Sequence, residues 1–435
     1  MTQEKKHSGT GQDCPKGYKS CDGYRIPKEW HIVRFDSLFS RVTRKNDENN
    51  QNVLTISAQQ GLISQIEYYN TLYASENKTG YTLLHRGDFS YNKSYSSGYA
   101  YGAIKRLNAY EKGIVSPLYL CFTPRQGVNS DFYLQYFEAG CFDREIYKIA
   151  QEGARNHGLL NVSTEDFFHS MLVFPPLEEQ ERITEILTQC DHVIELKEQK
   201  LDELKQLKKE FLRKMFPAKG CDTPEIRFPG FTGAWEQRKL GDISEIKTGP
   251  FGSTLHADDY VSDGIPIITT EHFKTGSLPI DKCELPQVSE NDFSRLSAYI
   301  LNAGDIVFSR VGSVDINALI TPFQSTWLFS GRVLRVRPQN KNSSQFLHTL
   351  LETEDVKNDI CTRAVGQTML SINTEILKTT PLRLPESTLE QEQLGKYFLN
   401  LDTLITLHQR ELEETKTHKK TLAKLLLTGI VRVQG

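Results

Sequence analysis

The sequence predicts an α+β fold built from two copies of one plan, in which a mixed globular domain is followed by a long helix. Two observations support this prediction: motifs that recur about 210 residues apart, and a heptad pattern of apolar residues that closes each copy. The chain has 435 residues, a length that corresponds to about three domains.

Four short motifs define the repeat. Each copy begins with a proline and a tryptophan, continues with a Gly-Asp turn before a short apolar strand, and ends with a polar helix start and a Glu-Gln-Glu triplet. The matching segments are Pro27 to Trp30 with Pro229 to Trp235, Gly87-Asp88 with Gly304-Asp305, Leu160 to Glu165 with Leu370 to Glu375, and Glu179-Gln180-Glu181 with Glu390-Gln391-Glu392. The last two pairs are offset by 210 and 211 residues, as a duplication with small loop insertions would produce.

A heptad seam follows each Glu-Gln-Glu triplet. Eight of ten seam positions are apolar in the first copy and seven of ten in the second, and polar residues interrupt both seams at equivalent places, Lys197 with His408 and Lys208 with Lys419. A seam this long predicts a coiled coil in which the two helices pair with each other, and the alternative is one face of an ordinary core helix. The predicted interface residues are Leu187, Ile194, Leu201, Leu204, Phe211, Phe398, Leu401, Ile405, Leu412 and Leu422.

These patterns divide the chain into five segments. We expect a polar, loosely held tail over 1–22, a first domain over 23–177, a first long helix over 178–217, a second domain over 218–388 and a second long helix over 389–435. Within the domains, strands are predicted at 116–122 and 331–337, and helices at 132–142 and 345–352.

Composition and charge exclude several classes of protein. The chain is 38% hydrophobic and 25% charged, which is typical of a globular protein, and no apolar run is long enough to cross a membrane. Eight cysteines without a CxxC motif or a secretory signal favour reduced thiols and a cytoplasmic location over disulfides or a zinc site. The net charge of −3 does not by itself indicate nucleic-acid binding.

Common catalytic motifs are missing from the sequence. There is no phosphate-binding GxxxxGK[ST] loop, no HExxH metal motif and no Gly-x-Ser-x-Gly elbow. Phe174-Pro175-Pro176-Leu177 lacks the polar first residue that an amino-methyltransferase loop needs, and the Glu-x-Lys triplets at 195–197 and 203–205 lie within the heptads. We therefore expect no catalytic residue and no bound metal or cofactor.

Loops rich in cations, tyrosines and small polar residues are the candidate binding surfaces, because such side chains suit phosphates and base edges. The alternatives are a tyrosine-rich structural hairpin, a solvated strand face and plain connecting loops. The candidates of the first copy are Lys93, Tyr95, Tyr99, Tyr101, Lys105, Arg106, Arg155, Asn156 and His157. Those of the second copy are Arg310, Ser313, Arg332, Arg335, Arg363, Gln367 and Thr368.

In combination, these motifs resemble the specificity subunit of a type I restriction-modification enzyme. The resemblance covers nearly the whole chain and rests on the segments 227–236 and 240–242, the two Gly-Asp strands, the proline-to-Glu-Gln-Glu junctions and the opening residues 15–20. The sequence departs from a strict repeat at the strand end, where Lys93 stands in the place of Arg310, and the two globular domains are otherwise dissimilar.

The resemblance implies a non-catalytic reader of double-stranded DNA. Each domain would be a target recognition domain for one half of a bipartite, asymmetric site, and the long helices would pair antiparallel, set the gap between the half-sites and dock two modification subunits. Those partners would bind S-adenosylmethionine and methylate adenine, and two restriction subunits would add ATP- and Mg-dependent cleavage. Residues 1–177 carry a formal charge of +2 and residues 218–388 one of −4, so partners would supply much of the phosphate neutralisation.

Two other functions stay open on sequence alone. A self-contained nuclease or methyltransferase with degenerate motifs would bind S-adenosylmethionine or cleave DNA without a partner. A coiled-coil scaffold would bind protein only and would show no DNA binding when its partner is present.

Overall fold

The computed structural model describes residues 14–57, 60–71, 73–94, 98–150, 160–250, 254–256, 259–274, 276–339 and 342–433. The chain forms two compact units, one of residues 1–196 with 412–435 and the other of residues 197–411. The boundary between the units therefore passes through both long helices. Among the described residues, no helix combines the length and the apolar character needed to cross a bilayer.

The first unit contains a mixed domain with a central four-stranded antiparallel sheet in the order β4-β11-β8-β9 and a closing pair formed by β3 and β12. Its strands are β1 (Tyr18–Cys21), β2 (Tyr24–Pro27), β3 (His31–Arg34), β4 (Phe39–Arg41), β5 (Leu54–Ser57), β6 (Gly61–Ser64), β7 (Thr82–His85), β8 (Phe89–Asn92), β9 (Ala103–Arg106), β10 (Lys112–Val115), β11 (Leu120–Pro124) and β12 (Met171–Phe174). Its shorter helices are α1 (Phe35–Leu38), α2 (Gln65–Tyr69), α3 (Ser130–Glu138), α4 (Asp143–Ile149) and α5 (Thr164–His169), and the long helix α6 (Leu177–Lys214) begins here.

The second unit repeats this framework. Its four-stranded sheet has the order β14-β21-β18-β19, and β13 pairs with β22 as β3 pairs with β12. Its strands are β13 (Glu236–Lys239), β14 (Ser244–Thr248), β15 (Tyr260–Val261), β16 (Ile265–Ile268), β17 (Gln287–Val288), β18 (Ile306–Ser309), β19 (Asn317–Leu319), β20 (Leu328–Phe329), β21 (Val333–Pro338) and β22 (Pro381–Leu384). Its helices are α7 (Leu240–Ile243), α8 (Glu290–Arg295), α9 (Ser344–Leu351), α10 (Glu354–Arg363), α11 (Thr374–Lys378) and the long α12 (Thr388–Leu427).

Aromatic side chains dominate the core of the first unit. Phe35 is fully buried, and its ring centroid lies 4.8–6.2 Å from those of six other phenylalanines. These rings are Phe39, Phe122, Phe137, Phe142, Phe167 and Phe168. Tilted and edge-to-face contacts of this kind add to the free energy gained by burying the rings. The sheet and helices α3 to α5 are joined through this cluster.

The Gly-Asp motif has the same structural role in both units. Gly87 and Gly304 adopt positive φ angles of 92° and 90°, which permit a tight turn before the strand. Asp305 accepts hydrogen bonds from the backbone N–H of Asn302 at 2.8 Å and from Arg337 at 2.7 Å. Asp88 likewise accepts the backbone N–H of His85 at 2.7 Å and pairs with Arg44. The predicted turn-to-strand connection is confirmed.

The long helices run antiparallel within each unit. In the second unit, Lys197 pairs with Glu411 at 2.9 Å and Lys208 with Asp402 at 2.6 Å, so the partner's number falls as the residue number rises. In the first unit, Lys419 pairs with Asp191. The ten residues predicted for the interface are all buried or half-buried. Five polar residues interrupt the seams. Three of them, Lys197, Lys208 and Lys419, make these pairs, and His408 lies 3.8 Å from Glu411.

The segment after each long helix closes onto the start of the other one. In the first unit, Arg432 donates to the buried Glu179 at 2.6 and 2.9 Å, and Trp30 donates to the same carboxylate at 2.7 Å. In the second unit, Arg227 donates to the buried Glu390 at 2.7 and 2.8 Å. The first glutamate of each Glu-Gln-Glu triplet thus receives its counter-charge from a distant segment of the chain.

Three local predictions differ from the structure. The tail predicted over 1–22 ends earlier, because β1 pairs with β2 and Tyr18 donates its hydroxyl to the carbonyl of Gly429 at 2.9 Å. The strand predicted from residue 116 begins at Leu120, because the N–H of Tyr119 closes a turn onto Ser116 at 3.0 Å. The helix predicted over 132–142 ends at Glu138, and Gly140 follows with a φ of 69°.

Lys208 joins the first long helix to the second domain. It donates to Glu352 at 2.7 Å as well as to Asp402, and the Lys208 and Glu352 side chains are only 16% and 17% exposed. In the first unit, Asp191 receives both Lys419 and the side-chain amide of Gln135 on α3. The cluster around Lys208 and the cluster around Asp191 each fix the register of the long helices and attach the neighbouring domain to them.

We expect Lys208→Met to destabilise the second unit by about 2 kcal/mol at pH 7, less than for a fully buried pair because water partly reaches the site. Lys200→Met is the matched control: its pair with Glu203 is exposed, and the change should cost less than about 0.5 kcal/mol. Urea unfolding of both variants measures these differences, and equal stability would contradict a structural role for Lys208.

The cost of Lys208→Met should also shrink as the pH falls towards 4. Burial alone would raise the pKa of Glu352, but its interactions with His348 and with the Lys208 ammonium hold that pKa below its ordinary value. The stability that Glu352 contributes is fully present above its unfolded pKa and is lost as the pH falls through its lower folded pKa. Burial raises the pKa of Asp402 even beside Lys208, so this carboxyl takes up a proton first. Unfolding curves at several pH values test this, and a pH-independent cost would contradict it.

Candidate nucleic-acid interface

Three segments of the second domain meet at one edge. The backbone N–H of Arg310, just after β18, donates to the carbonyl of Arg332 at 3.0 Å. The N–H of Gly312 donates to Leu370 at 2.8 Å, and that of Ile372 donates to Arg310 at 2.9 Å. Five of the seven residues predicted for this copy lie on these three segments: Arg310, Ser313, Arg332, Gln367 and Thr368.

The loop between α10 and α11 has a defined shape. Val365 and Ser371 exchange backbone hydrogen bonds of 2.9 and 2.8 Å, which close the loop at its base. Gly366 has a φ of 122°, and a Cβ atom at this position would lie 2.3 Å from the carbonyl oxygen of Met369. Only glycine fits there, so the tip from Gln367 to Met369 is presented on a constrained backbone.

Four predicted residues of this edge present exposed side chains: Ser313, Arg332, Gln367 and Thr368. The guanidinium of Arg332 makes no hydrogen bond or ion pair with any residue that the structure describes. It is therefore available to a phosphate or to a guanine edge, while the hydroxyls and the amide can donate to or accept from bases. We refer to these four residues with Val365 and Met369 as the loop edge.

The other predicted arginines of the second domain have partners inside the protein. Arg363 donates to the carbonyl of Ile376 at 2.8 Å and to the hydroxyls of Thr379 and Thr380 at 2.9 and 2.7 Å. Arg335 is 3% exposed and bonded to Glu245, and burial lowers the pKa of its guanidinium. The alternative of a solvated strand face does not hold for Arg335, because its side chain is buried and pairs with Glu245 on the neighbouring strand.

Lys93 of the first domain is the structural counterpart of Arg310. Lys93 donates to the carbonyl of Val162 at 2.6 Å, and Arg310 donates to the equivalent Ile372 at 3.3 Å. Both side chains thus hold the segment that leads into a short helix, which Ser163 or Asn373 caps. Burial lowers the pKa of the Lys93 ammonium. Lysine and arginine therefore make the same hydrogen bond to the backbone at this position in the two domains.

The tyrosine-rich segment of the first domain is largely internal. Lys105 is 4% exposed, pairs with Glu138 at 2.6 Å and lies 4.7 Å from the ring centre of Tyr99. Burial raises the pKa of Tyr99, whose hydroxyl donates to Glu138 at 3.1 Å. Arg106 pairs with Asp131 at 2.7 Å. These contacts favour the structural-hairpin alternative for this segment.

Other candidates of the first domain are less constrained by the structure. Tyr101 is half-buried, with its ring 6.1 Å from that of Tyr147. Tyr95 and the loop of Arg155, Asn156 and His157 lie outside the described residues. DNA contact by any residue of either copy stays a prediction.

One cluster of described residues has the donor atoms for a metal ion. His348, Glu352 and Asp402 each place one donor atom within 4.8 Å of the others. The ammonium of Lys208 already lies between the two carboxylates, and the Nδ1 atom of His348 is 2.6 Å from Asn317. Because a cation of the protein itself neutralises the cluster, its geometry fits an internal ion pair better than a metal centre.

Comparison with known proteins identifies the family. The family model for the type I restriction modification DNA specificity domain matches residues 27–206 and 233–417. The chain is 23% identical to the MjaVIII specificity subunit of Methanocaldococcus jannaschii, over 97% of both chains. It is 25% identical to the putative MjaX specificity subunit of the same organism, over 72% of this chain and 71% of that one.

Two solved structures share the fold. An S subunit from M. genitalium matches with a TM-score of 0.54 and 15% identity, over 91% of this chain and 96% of that one. A chain from a study of complex assembly in a type I R-M system matches with a TM-score of 0.56 and 16% identity, over 94% of this chain and all of the other. With two family domains over most of its length, this chain belongs to the DNA specificity subunits of type I restriction-modification systems. Members of this family are non-catalytic, and the resemblance drawn from the motifs is confirmed.

Arg332 is exposed, whereas Arg363 is hydrogen-bonded within the domain, so we expect the first to matter for DNA binding and the second for stability. Arg332→Ala should leave the free energy of unfolding within about 0.5 kcal/mol of the parent, because the side chain is exposed. The same change should weaken DNA binding by the assembled complex and lower the salt slope by about one unit if Arg332 contacts a phosphate.

Arg363→Ala should instead destabilise the domain by about 1–3 kcal/mol, since three internal hydrogen-bond acceptors lose their donor. Thermal melts and binding titrations at two salt concentrations separate the two effects. An Arg332→Ala complex that binds like the parent would remove this residue from the interface.

Proposed function

We propose that this chain reads a bipartite, asymmetric DNA site, one half with each domain. The observation that carries the proposal is a shared framework with different loops. The sheet order, the Gly-Asp turn and the capped helices recur in both units, while the residues between them differ. A framework that positions variable loops is the arrangement expected for two readers of different sequences.

The loop edge is the reading surface that we propose for the second domain. Its cation, amide and hydroxyls combine phosphate binding with base readout, as specific DNA recognition requires. In the first domain, the loop around Arg155 to His157 occupies the matching place in the sequence, 210 residues earlier. We propose that this loop reads the other half-site.

Two equivalent apolar patches on the long helices are the docking surfaces that we propose for modification subunits. Val193 and Leu196 are 44% and 50% exposed, and Leu404 and Leu407 are 44% and 51% exposed. These pairs lie 211 residues apart in the repeat. Because equivalent surfaces recruit equivalent partners, they fit two copies of one modification subunit.

If this chain reads DNA and its partners carry out catalysis, the cofactors bind the partner subunits. We propose that S-adenosylmethionine binds the modification subunits, which methylate adenine, and that ATP and Mg bind two restriction subunits where these are present. The chain itself would hold none of the three. Since its target is chromosomal and incoming DNA, we place its action in the cytoplasm.

Exchange of one domain should change one half of the methylated motif. Replacing residues 31–174 with the matching segment of a relative leaves Trp30, Glu179 and Arg432 in place, so the closure of the unit is kept. Methylome sequencing should show one altered half-site and one unaltered half-site. The reciprocal exchange of residues 236–384 is the control and should alter the other half. A single exchange that altered both halves would contradict independent readers.

Each apolar patch should contribute to the docking of one partner copy. Val193→Glu with Leu196→Glu should weaken that contact at least tenfold, because a charge would have to lose its water on binding. Leu404→Glu with Leu407→Glu should do the same for the second copy. The control is Leu118→Glu, at an apolar residue that is 76% exposed but lies on the first domain.

Native mass spectrometry with the modification subunit should show one bound copy for each double variant and two for the control. Two bound copies in both double variants, at concentrations near the parent's dissociation constant, would exclude these patches.

A further inference from the structure

Two apolar side chains on the loop edge have no structural reason to be exposed. Val365 is 66% and Met369 is 64% exposed, although both stand within a segment whose neighbours, Ala364 and Leu370, pack against the core. The residues of this loop that were predicted to bind DNA, Gln367 and Thr368, are both polar. The apolar pair is therefore a feature that neither the core nor the polar readout explains.

The loop backbone presents this pair in a fixed way. The Val365–Ser371 bridge closes the loop, Gly366 permits its sharp turn, and the N–H of Gly312 holds Leu370 from the neighbouring segment. Gln367 and Thr368 lie between the two apolar residues, and Arg332 belongs to an adjoining segment. A surface that alternates apolar, amide and hydroxyl groups beside a cation is complementary to a DNA groove rather than to a lipid or an apolar protein face.

We propose that Val365 and Met369 contact the C5-methyl group of a thymine in the half-site that the second domain reads. Thymine is the base whose major-groove edge carries an apolar group, and apolar side chains contact it there. The proposal rests on the proposed function and names the base chemistry read at this site. At the matching positions of the first copy the sequence has Arg155 and Leu159, so the first domain would read a different pattern.

The test replaces single thymines by deoxyuracil in the recognition duplex. Deoxyuracil keeps the hydrogen-bonding groups of thymine and lacks only the methyl group. The assembled complex with modification subunits should bind about fourfold more weakly when the contacted thymine is replaced, the effect of one methyl group. A complex that carries Val365→Ala and Met369→Ala should bind the parent duplex more weakly and should show no further loss on that deoxyuracil duplex.

Ile280→Ala is the matched control, because Ile280 is an apolar residue of the same domain that is 72% exposed and lies outside the loop edge. It should retain the thymine dependence of the parent. Thermal melts of both variants check that the domain stays folded.

Three results would overturn the assignment: a parent complex indifferent to every deoxyuracil substitution in that half-site, a double variant that binds as the parent does, or one that keeps the thymine dependence. A parent complex that bound unrelated DNA as tightly as its own site would refute the proposed function as well. That last result is distinguished from the others because it compares the parent complex on its own site and on unrelated DNA, without any deoxyuracil or variant.

Discussion

The architecture depends on a buried carboxylate at the start of each long helix. Glu179 and Glu390 are 6% and 1% exposed, and an isolated charge in such a place would be strongly destabilising. Arg432 and Arg227 supply the counter-charge through paired hydrogen bonds, and removing one partner of such a pair typically costs about 3–5 kcal/mol when the site is fully buried. The start of one long helix is therefore stable only when the segment beyond the end of the other is in place.

This constraint lets the two domains diverge. The ion pairs that close each unit, Arg432 with Glu179 and Arg227 with Glu390, use residues outside the variable loops. Inside each domain, the Gly-Asp turn and a capped short helix stabilise the framework. Lys93 and Arg310 differ chemically but donate to equivalent carbonyls, so even this substitution preserves the local structure. Sequence variation can then collect in the loops that follow β8 and β18 and in those that precede α5 and α11, without loss of the framework.

Patterns of local periodicity made the repeat, the long helices and the Gly-Asp turns predictable. Whether an individual lysine or arginine is exposed or forms an internal ion pair was not predictable, because it depends on partners that are distant in sequence. Lys105 pairs with Glu138, and Arg335 pairs with Glu245 on a neighbouring strand. Two cations that suggested a DNA-binding surface are therefore engaged in ion pairs inside the protein. Conversely, Lys197, Lys208 and Lys419 interrupt the heptads in the sequence, and in the structure they form the ion pairs between the long helices that set their register.

The contacts of residues 429–432 with Tyr18 and Glu179, which close the first unit, affect the order in which the chain can fold during synthesis. The second unit, residues 197–411, can complete its contacts, including the pair of Arg227 with Glu390, before the segment that closes the first unit is made. The first unit must wait, because Arg432 and the carbonyl of Gly429, which accepts the Tyr18 hydroxyl, are made after the whole second unit. Domains usually fold in the order in which they emerge from the ribosome. Here the first unit is completed after the second, so its exposed Glu179 and unfilled core would need protection until Gly429 and Arg432 have been made.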